Sequence, residues 1–503
     1  MQASIHTRFV AIALLAFLGA GVARAQQTNS VLMSLTLHEC IVRALANNLE
    51  IKSEQINPTI QSWGVVGAQG IYDPTLSGSL NYQDTTFPRD TTQVFTNALT
   101  QTTVVTRQLQ SSLSLAGKLP TGATYDFAAA NNRASGNAIS NYLYTGDASI
   151  NLTQPLLKNF GLGINSANIR IARQSRAIAQ QDFVQFVMNK LSEVCTAYYE
   201  LVFTIENHQA KVETLDEAKE LLDQTRKRVQ IGTQSPLDAI QAEAGVAERV
   251  QAVITSAQAI KDAENKLKRL ISQQVTEFRG VSLIPMGFPE AQMVDLDVTR
   301  SIRTALEMRP DYLSAKEVLE KQNIAVRYNR NQLWPEINLQ GSYGENGRGT
   351  SFDNFNDSVA SGDNPVWSAG VIVRFPLGNR QARSTYNILR LNQDQLVINL
   401  KILEQNILVE VDNAVGHVGS SAQSVVAAAA ATRAAQASLD AEKKKLLAGV
   451  STTFLVLQAQ SQLAASRSTE VRARASHSES LIALDLAEGT ILQKNNIVLD
   501  ESR

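Results

Sequence analysis

The chain has few cysteines and prolines for its length. Its 503 residues contain two cysteines, Cys40 and Cys195, and 12 prolines. Small exported domains that are held together by disulfides are rich in cysteine, so that class of protein is excluded. The sequence allows one disulfide between Cys40 and Cys195, but it favours two buried free thiols. The formal net charge of −1 at pH 7 gives no indication of a nucleic-acid partner.

Sequence motifs of catalysis and of cofactor binding are also lacking. The segment 161–163 has two glycines but not the third glycine of a dinucleotide-binding loop, and we interpret it as a connector. No G-x-S-x-G, H-E-x-x-H or Walker motif occurs. Beyond the N-terminal segment the histidines are scattered, without the spacing of metal ligands: His38, His208, His417 and His477. We therefore expect no enzyme, no catalytic residue, no metal site and no cofactor.

Long apolar runs are a further absence. After the N-terminal segment no stretch of about 18 apolar residues occurs, so no transmembrane helix is expected. A membrane location would then require a closed β-barrel, because only helices and closed barrels satisfy the backbone in lipid. Residues 1–25 are predicted to be a cleaved signal peptide, since Arg8 precedes the apolar run 9–20 and residues 23–25 form an A-x-A site.

The main positive signal is an internal repeat. Ala44 and Ala305 lie 261 residues apart, each in an amphipathic segment. Pro74 and Pro335 lie the same distance apart, and each precedes a segment in which apolar residues alternate with polar ones. These two prolines are therefore assigned to equivalent helix-to-strand junctions.

The two repeats differ by one insertion. Pro155 and Pro376, assigned to the strand-to-helix junctions, lie only 221 residues apart, so the first repeat carries 40 additional residues. We assign the first repeat to residues 26–275 and the second to residues 276–503. The insertion is predicted to form an extra hairpin at about 105–131. The sequence alone leaves open whether this hairpin joins a barrel.

Alternation of apolar and polar residues predicts the strands. Trp367, Val371 and Val373 alternate with smaller or polar residues in the second repeat, whose strands are expected at about 336–376. Segments of about ten residues with this pattern are typical of barrel strands, although a soluble sheet with one wet face has the same pattern. We expect Val371 and Val373 to face lipid and Arg374 to face a water-filled interior. The segment 346–363 is expected to be a polar outer loop.

The other segments predict unusually long helices. Residues 165–230 contain neither proline nor glycine, and 66 helical residues would span roughly 100 Å. The segment 380–447 also lacks proline and is of similar length, and each long helix is followed by a returning one, at about 236–272 and 453–488. Apolar residues recur with steps of four and three, which indicates helices packed side by side with slight supercoiling. His208 lies in this seam and is expected to have a packing role.

The turns of the two helical hairpins are the candidate functional site. In the first tip, at about 231–238, Gly232 ends a helix, Ser235 is a predicted N-cap and Pro236 the first helical residue. Asp238 is interpreted as a capping carboxylate, and a charge ring at a channel mouth is a compatible alternative.

The second tip, at about 448–455, has the same plan without the carboxylate. Gly449 supplies the turn, and Leu455 aligns with Asp238 of the first tip. Leu455 and Gln458 are interpreted either as a helix start that packs on its neighbours or as a hydrophobic constriction or docking surface.

The chain as a whole resembles the TolC family of outer-membrane efflux proteins. The resemblance covers almost the whole chain after the signal peptide. It depends on the duplicated order of helix, strand, strand, long helix, tip and returning helix. Local sequences support it: Leu35-Thr36-Leu37 with Ala44-Leu45, Pro155-Leu156, Pro376-Leu377, Ile231 to Glu243, and Gly449 to Gln460.

The resemblance implies both a fold and a function. The fold would be a mixed α/β membrane protein, in which an antiparallel outer-membrane β-barrel is completed by trimerisation and continues into a periplasmic α-helical coiled-coil barrel. A homotrimer of this kind is a passive export duct that works with a periplasmic adaptor and an inner-membrane pump. In the family each chain gives four strands to the barrel, and the insertion departs from this count. Leu455 and Gln458 stand where the best-known member has aspartates, so an aspartate ring is not implied at the second tip.

Other functions are compatible with parts of the sequence. A channel for type I protein secretion belongs to the same family and cannot be separated from an efflux channel by sequence. A periplasmic structural coiled-coil protein would explain the helices but needs no apolar outer face on its strands. An envelope hydrolase would need a nucleophile constellation, and the sequence has none.

Overall fold

A computed structural model of the chain describes residues 31–88, 103–137, 139–288 and 297–499. The predicted signal peptide lies outside the described residues. Within them, no helix combines the length and the apolar character that crossing a bilayer requires.

Eight strands occur in the described part of the chain. In chain order they are β1 (Val31–Leu35), β2 (Thr75–Pro88), β3 (Thr103–Lys118), β4 (Thr124–Gly136), β5 (Ile139–Pro155), β6 (Val281–Pro285), β7 (Glu336–Gly349) and β8 (Pro365–Arg374). Six of them form one antiparallel sheet in the order β2-β3-β4-β5-β7-β8, while β1 and β6 pair in parallel elsewhere. The pair β1–β6 was not predicted from the sequence.

The register of the large sheet separates two chemically different faces. Pairs such as Leu339–Val371 and Ile337–Val373 lie on one face, and Gln340–Gly370 lies on the other. The face of Leu339 and Val371 carries an aliphatic and aromatic band across all six strands: Leu76, Leu80, Leu113, Leu115, Phe127, Ile150, Leu152, Leu339, Val371 and Val373. The opposite face is mostly Ser, Thr, Asn, Gln, Ala and Gly.

Twelve α-helices occur in the described residues. In chain order they are α1 (Leu37–Asn47), α2 (Leu49–Glu54), α3 (Ile56–Gln69), α4 (Leu162–Asn165), α5 (Ala167–Gln230), α6 (Pro236–Ile271), α7 (Val298–Met308), α8 (Pro310–Asn331), α9 (Phe352–Ala360), α10 (Arg380–Leu447), α11 (Thr453–Ala487) and α12 (Ile491–Lys494). The 64 residues of α5 and the 68 of α10 rise roughly 100 Å each. The predicted fold class, antiparallel strands continuous with long paired helices in a duplicated chain, is confirmed.

The loop expected at 346–363 is not a simple loop, and that prediction was wrong. The strand β7 continues to Gly349, and α9 follows with Phe355 buried. A Cβ atom built on Gly347 would lie 2.3 Å from Val359 Cγ2, so α9 packs directly on the glycines at the end of β7. Since this end of the strand carries no side chains at Gly347 and Gly349, the helix can approach the sheet closely.

The core lies along the helices rather than under the sheet. The predicted seam of α5 is confirmed, since Val187, Leu191, Val194 and Leu201 are all fully buried. They pack with α1, α6 and the β1–β6 pair in the largest hydrophobic cluster. A second cluster joins α7 and α8 to α10 and α11 around Ile407 and Val411. Burial is thus a narrow stripe along each long helix, as packing with a 3.5-residue period requires.

Candidate functional site

The two hairpin turns lie at the ends of α5 and α10 that are farthest from the sheet. Gly232 and Gly449 both have a left-handed conformation, with φ of +74° and +75°. The N–H of Thr233 donates to the carbonyl of Arg228 at 2.9 Å, and Val450 makes the equivalent bond, 3.0 Å long, to Lys445. These are the bonds of a Schellman motif, which needs a residue without a Cβ at the left-handed position.

A capping box begins the returning helix of the first hairpin. Ser235 Oγ accepts a 3.2 Å bond from the N–H of Leu237, and Asp238 Oδ2 accepts a 3.1 Å bond from the N–H of Ser235. Pro236 is the first helical residue. The predicted capping of this helix by Ser235 and Asp238 is therefore confirmed. Whether Asp238 also acts in a channel mouth stays a prediction.

The second hairpin begins its returning helix differently. Thr452, which the sequence reading did not single out, is the N-cap and accepts a 3.4 Å bond from the N–H of Leu455. The hydroxyl of Ser451 donates to Glu442, and this bond lowers the pKa of the Glu442 carboxyl. Leu455 and Gln458 are both exposed. The two tips thus share a backbone plan but differ in charge.

An exposed apolar surface surrounds both turns. We call it the tip patch, and it consists of seven large side chains that are each at least 42% exposed: Ile231, Leu237, Ile240, Leu447, Val450, Phe454 and Leu455. Among them, only Leu455 is a candidate site residue predicted from the sequence. Apolar residues directly beside a turn glycine, where solvent-exposed turns usually carry polar ones, were the signal that could have revealed the others. Contiguous exposed apolar residues on a soluble surface mark interaction sites.

Polar side chains join the two hairpins behind the tip patch. Arg228 Nη1 donates to the carbonyl of Leu446 at 3.1 Å, and Gln234 Nε2 donates to Thr453 Oγ1 at 3.2 Å. The first contact links the end of α5 to the end of α10, and the second links the turn between α5 and α6 to the start of α11. They hold the two tips against each other, so the tip patch is one surface.

A buried arginine lies further along the same hairpins. Arg249 on α6 donates to the carbonyl of Gly245 at 3.0 Å and to Ser461 Oγ on α11 at 3.1 Å. It is 8% exposed, and burial lowers the pKa of its guanidinium. Arg467 on α11 makes ion pairs of 3.5 and 3.6 Å with Glu213 and Glu217 of α5. Charged contacts therefore connect the returning helix α11 to both helices of the first hairpin.

The four junction prolines lie at the boundary between sheet and helices. Pro74 immediately precedes β2, and Pro335 immediately precedes β7. Pro155 is the last residue of β5, and Pro376 lies two residues after the end of β8. All four thus lie at one end of the sheet. Their functional importance stays a prediction.

The remaining polar candidates have structural contacts. Within the part of the chain that the structure describes, no group of three His, Cys, Asp or Glu side chains could hold a metal ion. His208 Nδ1 lies 2.8 Å from Ser256 Oγ, in the seam between α5 and α6, which agrees with the packing role that was expected. Cys40 and Cys195 are free and fully buried. Burial raises the pKa of each thiol to about 12, so neither thiol is a nucleophile at neutral pH.

Comparison with known proteins agrees with this architecture. The family model described as "Outer membrane efflux protein" matches residues 116–273 and 301–490. The "Outer membrane efflux protein BepC" of Brucella suis biovar 1 is 22% identical over 445 residues, which cover 87% of this chain and 82% of BepC.

Two solved structures have a similar fold. The CmeC outer membrane channel of Campylobacter jejuni superposes with a TM-score of 0.68 at 17% identity, covering 93% of this chain and 90% of CmeC. The outer membrane protein VceC of Vibrio cholerae gives 0.66 at 16% identity, covering 90% of this chain and 96% of VceC. Because the matched residues include both helical hairpins and most of the sheet, the chain belongs to the outer membrane efflux protein family.

Proposed function

We propose that three copies of this chain form a passive duct of a tripartite efflux system. An inner-membrane pump would deliver solute through a periplasmic adaptor, and the duct would release it outside the outer membrane. The chain itself would catalyse no reaction, and the pump would supply energy and selectivity. The family to which the chain belongs, and the names of its relatives as channels, support this proposal.

An open seam along α10 is the observation that carries the proposal. The helix buries one stripe, including Ile407 and Val411, within its own chain. A second stripe also repeats with a 3.5-residue period, yet its side chains are 48–67% exposed: Ile388, Leu391, Ile398, Ile402 and Val409. Two apolar stripes on one helix need two partners. The described part of the chain offers only the first, so we assign the second to a neighbouring copy.

The apolar face of the sheet supports an outer-membrane location. Val371 and Val373 are 59% and 64% exposed, and Leu80 on the far edge is 73% exposed. Such a band, flanked here by Tyr343 and Trp367, is what the lipid face of a barrel needs. The opposite, polar face would line the interior.

The tip patch supports docking of an adaptor. It lies roughly 100 Å from the sheet by helix rise, which would place it deep in the periplasm. Its exposed apolar residues, among them Phe454 and Ile240, would gain free energy by burial against a partner. We propose that Gly232, Ser235, Pro236 and Asp238 shape the first half of this docking surface. Gly449, Leu455 and Gln458 would shape the second half.

The test compares the open seam with a neighbouring polar position. Ile398→Glu combined with Ile402→Glu should prevent trimer formation, because each substitution puts a charge into the seam. Asn399→Glu, one residue away and already exposed, should leave the trimer intact. Oligomeric state would be measured by light scattering of detergent-solubilised protein, and location by membrane fractionation. A wild-type chain that is a stable monomer in the soluble periplasm would overturn the proposal.

A further inference from the structure

The hairpin β3–β4, which corresponds to the sequence insertion, lies in the middle of the large sheet. It pairs with β2 from Thr75–Ala116 to Pro88–Thr103, and with β5 from Thr124–Thr153 onward. In the second repeat, β7 and β8 pair directly with each other. Their equivalents in the first repeat, β2 and β5, are separated by the two strands of the insertion.

The hairpin follows the same division into two faces as the strands around it. Leu113 and Phe127 continue the apolar band, and they are 55% and 45% exposed. Ser112, Ser114 and Ala128 lie on the opposite face, beside the small and polar residues of β2 and β5. A hairpin projecting into water would not need an exposed apolar face in register with a membrane band. The alternation of apolar and polar residues in the β3–β4 hairpin is therefore typical of strands in the wall of a barrel.

The two edges of the sheet are complementary. Among the described strands, β2 pairs only with β3 and β8 only with β7, so each has one unpaired side. A strand edge of this length, with unpaired backbone N–H and C=O groups, cannot face lipid. The number of strands is even and all neighbours are antiparallel, so β2 and β8 run in opposite directions. The β8 edge of one copy can therefore continue the sheet of the next copy through its β2 edge.

We infer that three copies close through β2–β8 pairing into a single barrel of eighteen strands, with the β3–β4 hairpin in its wall. The inference rests on the proposed trimer and adds the composition and width of its barrel. At a strand spacing of about 4.8 Å and a tilt of about 40°, eighteen strands give a backbone diameter of about 36 Å. Twelve strands would give about 24 Å.

The inner face is suited to such a wide barrel. Many of its side chains are small, both in the hairpin, as at Ser112 and Ala128, and on the neighbouring strands, as at Ser79 and Ser149. Barrels of 16–18 strands leave an aqueous channel that side chains do not fill. The barrel would thus be a wide pore with a mostly polar wall, on which Asp126, Asp147, Glu336 and Arg374 carry charge, and the narrow part of the duct would lie elsewhere.

Disulfide trapping distinguishes a wall of six strands per chain from one of four. Ser79 and Ser112 are direct partners with their Oγ atoms 2.8 Å apart, so Ser79→Cys with Ser112→Cys should form a bond within one chain on mild oxidation. If the hairpin stood outside the wall, repeat symmetry with Gln340–Gly370 would place Ser79 beside Ser149 instead. Ser79→Cys with Ser149→Cys is therefore the matched control and should not form a bond. Cys40 and Cys195 are present in every variant and are buried.

The measurements are thiol titration and peptide mass analysis of trimers purified from the outer membrane. Electron cryo-microscopy of the same trimers, in lipid nanodiscs, should count eighteen strands. A trimer with twelve strands, with the 79/149 bond or without the 79/112 bond, would overturn the eighteen-stranded barrel and leave the proposed duct intact. A protein that forms no trimer would instead overturn the proposed function, and this inference with it.

Discussion

Gly232 and Gly449 lie 217 residues apart and have nearly the same backbone conformation, with φ of +74° and +75°. Open space surrounds both, since a Cβ atom built on either would meet nothing within 4 Å. The strain of a substitution at these positions therefore comes from the left-handed backbone conformation and not from a steric clash with neighbouring atoms. The two glycines allow the geometry of the tips to be changed while the rest of the molecule is left alone.

Gly232→Val and Gly449→Val should each cost about 1–2 kcal/mol through the left-handed conformation. Because the tips are remote from the sheet, we expect normal amounts of inserted trimer but defective export. Export would be followed as susceptibility to a panel of antibiotics, dyes and bile salts in a strain that lacks the gene. Gly64→Val, in open space on α3 without a positive φ, is the control and should behave as wild type. Normal export by both tip variants would show that the tips are not the docking site.

The two faces of β8 should tolerate charge differently. Val371→Lys would place a charge on the proposed lipid face, at a cost of about 2–4 kcal/mol near the bilayer midplane. Ile372→Lys, one residue away on the opposite face, should be tolerated by a water-filled interior. The yield of trimer in outer-membrane fractions measures the difference. Equal yields from the two variants would mean that the assignment of faces is wrong.

Asp238→Ala should change single-channel conductance in planar bilayers more than Leu455→Ala, because only the first removes a charge from the tip. The effect should weaken as salt rises, since the Debye length is about 10 Å at 0.1 M and shorter above it. Asp238 also caps α6, however, and alanine removes that hydrogen bond as well.

Asp238→Asn separates the two roles, because the amide keeps an oxygen acceptor for the N–H of Ser235 and loses the charge. If the charge matters, Asp238→Asn should resemble Asp238→Ala. If Asp238→Asn instead conducts as wild type does, the carboxylate is only a cap.

Acid should destabilise the helical part through His477. This side chain is 3% exposed, its Nδ1 lies 3.0 Å from Ser421 Oγ, and burial lowers its pKa from the usual 6.5. As the pH falls through about 6.5, the unfolded chain takes up a proton that buried His477 resists, so the unfolded state gains stability. At higher pH the imidazole is neutral in both the folded and the unfolded state, so this destabilisation is absent. His477→Gln should therefore lose less thermal stability than wild type between pH 7 and pH 5.5.

His417→Gln is the matched control for this measurement, because His417 is exposed on the neighbouring helix. It should retain the pH dependence of the wild type. Scanning calorimetry of the detergent-solubilised trimer at several pH values gives the midpoints. An equal loss of midpoint in wild type and His477→Gln would exclude His477 as the cause.

Much of the architecture was determined by the sequence itself. The absence of proline and glycine from 165–230 predicts one uninterrupted helix, and α5 is that helix. The offset of 261 residues reappears in the structure, since α1 and α7 are equivalent segments and so are β2 and β7. Local rules also place the caps, because Ser235 followed by Pro236 and Asp238 has few alternatives to a helix start. These features depend on neighbours in the chain, which a sequence displays directly.

Other features were decided only by the tertiary structure. The pairing of β1 with β6 joins segments about 250 residues apart, and neither short strand has a recognisable pattern. The position of the β3–β4 hairpin inside the sheet depends on the partner that each edge finds, and alternation alone specifies faces but not neighbours. The tip patch likewise exists because Ile240 and Phe454, far apart in sequence, lie at the same end of two hairpins. Long-range pairing and the joining of distant surfaces are properties of the packed chain, and no local pattern encodes them.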